Sequence, residues 1–410
     1  MSNSKLEEVR LFECVDRVRP MRILRTPDKY FVDLPDWPYE PHYFTSTLFG
    51  LDVRIAYYDE GDPSAQETVV LTHGMSAWSY LNRRMVAPLI SDGYRVVLFD
   101  QVGCGRSDKP TYDEDYTYER HIGWNIDLLI NHLRLQDVTI LLQDWGGLIG
   151  LRVAAAHPKT FRRLVIANTM LPTCNDDWFK LSPAFYAWKD FAFRTGLKAS
   201  SWIEERGGAW PGQILLQKAV GPSNPKMSVE EQAAYGAPYP GDKYKAGARS
   251  FPELVPTPAS DPTGRPQLSE AENNSAAWAV FKTWTKPVLL AFSDEDTVMA
   301  GGDAIWKRHC PGTKYPGVRH VTIQGVGHFL QDGGSEQLVK AVTTFIQNTP
   351  QHAISDISAE YDISVEEQEG IRRTKRNAEQ IATEKAASHG FDSPWSEMAT
   401  PWDDEKADGV

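Results

Sequence analysis

The sequence predicts a doubly wound α/β fold: a mostly parallel sheet with helices on both faces and an inserted helical cap domain. Three observations predict it. Short β-branched runs recur along the chain, helix-length amphipathic stretches separate them, and this rhythm stops over residues 173–255 before it resumes.

Taken in order, residues 1–20 read as an N-terminal extension. The expected strands are DVRIAYYDEG (52–61), TVVLTHG (68–74), YRVVLFDQVG (94–103), VTILLQD (138–144), RLVIANT (163–169), PVLLAFSD (287–294) and HVTIQGVGH (320–328). The middle runs are too continuously apolar to leave one face in water, so they suit a parallel sheet buried on both faces. YERHIGWNIDLLINHLRL (118–135) is an expected amphipathic helix between two of them. Residues 173–255, rich in aromatics, Pro and Gly, read as a mainly helical cap at the C-terminal edge of the sheet. The core is therefore expected over 21–172 and 256–349. Residues 350–410 are polar, with a capping-box start at Ser364 and Glu367, and read as an extension that is partly helical or disordered.

The 410 residues suffice for one large domain with an insertion. Lys and Arg number 43 against 55 for Asp and Glu, a net charge of -12. That balance disfavours nucleic acid or an anionic membrane surface as a partner. Cys14, Cys104, Cys174 and Cys310 lie far apart without CxxC spacing and read as free thiols. The N-terminus lacks the apolar centre of a signal peptide, and no run is long enough to span a bilayer. A soluble cytoplasmic protein is expected, with a monomer the simplest oligomeric state. Cofactors and metals are not expected. Gly103-Cys104-Gly105-Arg106-Ser107-Asp108 follows a strand but lacks the third glycine of a dinucleotide fingerprint, and the histidines show no metal-ligand spacing.

The stretch LLQDWGGLIG (141–150) carries the chemistry. A strand runs to Asp144, and a helix is expected beyond Gly146 and Gly147. This is the layout of a nucleophile elbow, in which a sharp turn lifts one side chain above the sheet and aims N–H groups at it. Read alone, Asp144 could also be a helix N-cap. An elbow nucleophile requires an acid and then a histidine later in the chain. Asp294, Glu295 and Asp296 follow one expected strand, and His328 follows another. Donors for an oxyanion are the backbone N–H of Met75, after the strand ending at His73-Gly74, and that of Trp145.

A carboxylate in place of the usual serine narrows the reaction. Serine attacking saturated carbon would leave an ether, which water does not readily cleave. A carboxylate leaves an alkyl ester, which a histidine-activated water can hydrolyse at its carbonyl carbon. Asp144 therefore predicts substitution at a carbon–halogen bond or an epoxide. The Trp145 indole is a donor with no acceptor function, suited to a departing halide. Trp178, Trp188, Trp202 and Trp210 are candidates for a second donor, though each also suits ordinary core packing. An epoxide hydrolase would instead use tyrosine donors, for which Tyr186, Tyr235, Tyr239 and Tyr244 are available. A catalytically silent binding protein on the same fold is a third reading.

From about Met21 to Gln347 the chain resembles the haloalkane dehalogenases of the α/β-hydrolase superfamily, most closely the branch with a two-tryptophan halide site. ILRTPDKYF, AYYDEGDP, HGMSAWSYLNRRM, GCGRSDKP, LLQDWGGLIGL, FYAWKD, APYPGDKYKAGARSFP, VLLAFSDEDTV and GVGHFLQD carry the resemblance. It implies an α/β-hydrolase fold and a small halogenated aliphatic substrate that, with water, gives a primary alcohol, halide and a proton. It further implies Asp144 as nucleophile, His328 as general base and Asp296 as the acid orienting His328. Trp145 and Trp188 would hold the halide, and Phe185, Tyr239 and Leu148 would line the pocket. A second branch places its acid after the strand that follows the nucleophile helix; here that position is Asn168. Met75 stands where the family usually has Asn or Glu, which implies altered halide preference or rate.

Overall fold

Val138–Gln143 (β8) is buried at every position and lies parallel to both of its neighbours, Thr68–Leu71 (β5) and Phe161–Ala167 (β9). Its continuous apolar composition suits burial on both faces. The structure is a computed structural model and describes residues 10–12, 21–50, 52–173, 181–191, 227–257 and 268–350. The remaining strands are β1 (Arg10–Phe12), β2 (Met21–Leu24), β3 (His42–Ser46), β4 (Val53–Glu60), β6 (Arg95–Phe99), β7 (Lys109–Pro110), β10 (Val288–Ser293) and β11 (Val321–Ile323). One eight-stranded sheet runs in the order β11-β10-β9-β8-β5-β6-β4-β3, and β1, β2 and β7 form a small separate sheet. Every neighbouring pair from β6 to β11 is parallel, while β4 lies antiparallel to β6 and β3 antiparallel to β4.

Parallel neighbours require crossovers, supplied here by helices. α1 (Arg83–Ser91), α2 (Tyr118–Ile126) and α3 (Asp144–Ala156) link successive strands of the first half. In the 173–255 region the described regular elements are α4 (Pro183–Phe191), α5 (Val229–Gly236), a 3-10 turn at Asp242–Tyr244, and α6 (Ala246–Leu254). α7 (Leu268–Phe281), α8 (Gly302–His309), α9 (Leu330–Gly333) and α10 (Ser335–Asn348) follow. α1 packs with α10, and α3 packs with α2 and α7. Two apolar clusters result. One contains Ile140, Leu142 and Ile149, the other Leu71, Leu141 and Val342.

The chain places β6 on one side of β5 and β8 on the other. Strand order therefore reverses between β5 and β8, and the carboxyl ends of these strands open a crevice there.

Several details differ from the sequence reading. Edge strand β3 was not anticipated, because HYFTS is mostly exposed and carries no buried run. The expected helix over 118–135 changes at Asp127–His132 into a π-helical turn, where Ser46 donates to Asp127 at 2.6 Å. The expected strand over 320–328 stops at Ile323, because Gly325 adopts a φ of 70° and its N–H donates to Asp294. What remains of that run is the loop that carries His328. The motif around Cys104 is a turn held from within. Arg25 pairs with Asp108 through two hydrogen bonds, and the buried Lys109 ammonium donates to the carbonyls of Gly105 and Ser107. No helix among the described residues is long and apolar enough to cross a membrane.

Candidate active site

β8 ends at Gln143 and α3 starts at Asp144 itself, with a φ of 48°, rather than beyond the two glycines. A left-handed backbone at a non-glycine residue costs of order 1–3 kcal/mol and persists only where its surroundings enforce it. Here the Asp144 N–H donates to the Asn168 carbonyl at 3.1 Å, and Thr169 Oγ1 donates to the Asp144 carbonyl at 2.8 Å. The glycines permit this closeness. A Cβ on Gly146 would stand 2.5 Å from Thr72 Oγ1, and one on Gly147 would stand 2.2 Å from Thr169 Oγ1.

Across the crevice, β5 runs into His73-Gly74-Met75. His73 Nε2 accepts the Gln101 N–H at 2.9 Å, and Nδ1 contacts the Gly74 carbonyl at 2.9 Å. Burial lowers the His73 pKa, and a neutral ring with one donor and one acceptor satisfies both contacts. The turn held in this way presents the Met75 N–H to Asp144 Oδ1 at 2.7 Å. The Trp145 N–H also hydrogen-bonds the Asp144 carboxylate.

His328 faces the other carboxylate oxygen. Its Nε2 lies 3.1 Å from Asp144 Oδ2, and its Nδ1 lies 2.7 Å from Asp296 Oδ2. Asp296 Oδ1 accepts the N–H groups of Val298 and Met299, which fixes the carboxylate. Asp294 is exposed and engaged with the N–H of Gly325. Of the three acids that follow β10, Asp296 contacts the imidazole. Asn168, with a φ of 44°, donates to Ser293 Oγ and to the carbonyls of Gly327 and His328, so it ties the ends of β9 and β10 to the histidine loop.

The electrostatics follow from these contacts. Burial pushes the Asp144 carboxyl up, but the hydrogen bond and charge of His328 and the N–H groups of Trp145 and Met75 outweigh it. The net result is a carboxyl held below its usual range. For His328, burial pushes the pKa down, while the charges of Asp296 and Asp144 and the hydrogen bonds to both raise it to about 10. His328 therefore holds a proton more readily than a free imidazole.

Met75, Trp145, Leu148, Phe185 and Tyr239 share one buried apolar cluster, and Trp188 is half-buried against it. Trp145 packs against Tyr118 and Phe251, with ring centroids 5.1 and 4.9 Å away. Trp188 packs against Phe185 at 5.6 Å. Asp144, Asp296, His328, Met75 and Trp145 are thus brought together, and Trp188 is placed by its contact with Phe185. Trp178, Trp202 and Trp210 lie outside the described residues. Sequence reasoning missed Gln143, whose amide donates to the His328 carbonyl at 3.2 Å. The available signal was a lone amide closing an otherwise apolar strand.

Comparisons with known proteins bear on the fold and the family. A model of the alpha/beta hydrolase fold family matches residues 67–335. The haloalkane dehalogenase of Psychrobacter cryohalolentis is 41% identical over 331 residues, covering 80% of this chain and 100% of that protein. That of Mycolicibacterium paratuberculosis is 39% identical over 328 residues, covering 80% and 99%. Among solved structures, the tetrameric haloalkane dehalogenase DpaA of Paraglaciecola agarilytica aligns with a TM-score of 0.64 at 30% identity, covering 78% of this chain and 97% of that one. A buried carboxylate at the elbow, two relatives matched over nearly their whole length and a shared fold lead to one assignment: the chain belongs to the alpha/beta hydrolase fold family and, within it, to the haloalkane dehalogenases.

Proposed function

We propose that this chain hydrolyses carbon–halogen bonds of halogenated alkanes to a primary alcohol, halide and a proton, through an alkyl ester on Asp144 and without a cofactor. One observation carries the reading: Asp144 Oδ1 accepts the Met75 N–H at 2.7 Å while Oδ2 lies 3.1 Å from His328 Nε2. A carboxylate so held attacks the halogen-bearing carbon, the carbon–halogen bond breaks, and the halide leaves toward the indole N–H groups of Trp145 and Trp188. Phe185, Tyr239 and Leu148 form the pocket wall.

In the second stage His328, oriented by Asp296, takes a proton from water as the water oxygen attacks the ester carbonyl. The resulting oxyanion is stabilised by the N–H groups of Met75 and Trp145. Collapse returns Asp144 as a carboxylate and releases the alcohol. The test is mass spectrometry of His328→Gln after exposure to a bromoalkane. The expected result is one alkyl group on Asp144 and about one bromide released per chain. Turnover without any adduct would overturn the ester.

The epoxide reading requires free tyrosine hydroxyls. Tyr235 donates to Asp332 Oδ2 at 3.0 Å. That engagement favours the dehalogenase reading. Bromide release measured beside styrene-oxide hydrolysis discriminates the two, and activity on the epoxide alone would refute it.

A further inference from the structure

Just past His328, the short helix α9 carries a buried carboxylate that the reaction scheme above does not use. Asp332 Oδ1 accepts hydrogen bonds from Arg83 Nη2 and Arg84 Nη1, each at 2.8 Å, and Oδ2 accepts the Tyr235 hydroxyl at 3.0 Å. Glu231 Oε1 accepts from Arg83 Nη2 at 2.8 Å and also from Arg84. The Arg83 side chain is 0% exposed and that of Asp332 2%. Arg83 and Asp332 are thus paired out of reach of water, while the Arg84 side chain, 40% exposed, closes the set at the surface.

The three segments that meet there are distinct. Arg83 and Arg84 begin α1, Glu231 and Tyr235 lie on α5, and Asp332 lies on α9. α5 is also fixed by its own capping box, in which Ser228 and Glu231 hydrogen-bond each other reciprocally. Trp78 Nε1 donates to the Ala234 carbonyl at 3.1 Å, so the core grips α5 at a second point. A few residues later the same segment contributes Tyr239 to the pocket cluster. The ion cluster therefore joins the segment that forms the pocket wall to the loop that carries the histidine.

We infer that Asp332 is a positioning residue for His328, and that α5 acts on the histidine loop through Tyr235 and Glu231. This rests on the ester reading above. On the strand side, the His328 carbonyl is held by Gln143 and Asn168. On the far side, the Asp332 contacts fix α9 and with it the direction from which the imidazole enters the site. Removing one partner of a buried pair leaves the remaining charge unpaired, so α9 shifts rather than keeping the gap. Alkylation needs Asp144 and its N–H donors, which lie at the start of α3 and in the turn after β5. Ester hydrolysis needs the imidazole placed over the ester. Loss of the anchor acts on the second step.

The experiment compares Asp332→Asn and Tyr235→Phe with wild type in single-turnover and steady-state reactions on a bromoalkane. The expected result for Asp332→Asn is an unchanged rate of the bromide burst, ester decay slowed about tenfold or more, and kcat and KM lowered together as ester accumulates. Tyr235→Phe, which removes only the hydroxyl, shows the same pattern to a smaller degree and carries the test if Asp332→Asn does not fold. Equal slowing of both steps, or a lowered Tm with both rates unchanged, would show a purely structural cluster and overturn the inference. Failure of the ester reading looks different: no adduct would form on Asp144 even in His328→Gln.

Discussion

The Met75 N–H stands 2.7 Å from Asp144 Oδ1, and a Cβ on the intervening Gly74 would stand 2.0 Å from that same oxygen. Donor and carboxylate can meet only if residue 74 has no side chain. Gly74→Ala is therefore expected to displace the Asp144 carboxylate from the Met75 donor. Loss of one oxyanion donor typically costs about 2.7–4 kcal/mol, a fall of about 10²–10³ in kcat. Steady-state bromide release checks this, and a kcat within a few-fold of wild type would mean that the donor is not used.

The pH behaviour follows from the raised pKa of His328. Besides the charge and hydrogen bond of Asp296, the hydrogen bond and charge of Asp144 raise it to about 10. Esterification removes the Asp144 charge, which lowers the pKa of the ring and favours the base that the second step requires. Proton release is expected to accompany the first-turnover halide burst, read with a pH indicator in stopped flow. A proton that appears only with the alcohol contradicts the scheme.

The same groups set a stability window. The raised pKa of His328 gives stabilisation that is fully present below 6.5 and lost as the pH rises through about 10. The lowered pKa of Asp144 gives stabilisation present above its unfolded value of 3.8 and lost as the pH falls through the lower folded value. Between pH 7 and 10 the urea midpoint of wild type is expected to fall more than that of His328→Gln.

The elbow was legible because its constraints are local. A buried strand, a carboxylate and paired glycines must stand in that order for α3 to pack so closely on Thr72 and Thr169. The choice among Asp294, Glu295 and Asp296 was not legible from the residues. It depends on which way each side chain turns after β10, and only the resemblance selected Asp296. The edge strand β3 and the anchoring role of Gln143 were also hidden, since neither rests on a periodicity. The relation between Trp145 and Trp188 depends on how α4 sits over the sheet, which no local pattern encodes.

Asn168 tests the histidine loop from its other side. Its amide donates to Ser293 Oγ and to the carbonyls of Gly327 and His328, and its own carbonyl accepts the Ser293 N–H. Asn168→Asp keeps the shape but loses the donors and sets a carboxylate against carbonyl oxygens. A loss of about 1–3 kcal/mol in stability is expected from the unsatisfied groups, measured by urea unfolding. A neutral result would mean that the loop is held by its remaining contacts.

The halide site is tested by fluorescence. The Trp145 indole is buried between Tyr118 and Phe251, and Trp188 is half-buried against the same cluster. The chain has 13 tryptophans, so quenching by bromide in wild type alone would not identify the residues involved. Comparison of single variants does. Trp145→Phe and Trp188→Phe are each expected to weaken bromide binding, since a hydrogen bond to a charged group contributes roughly 1.5–3 kcal/mol, or about ten- to a hundredfold in Kd. If only Trp145→Phe alters the titration, the second donor is not Trp188 and is to be sought elsewhere in the 173–255 region.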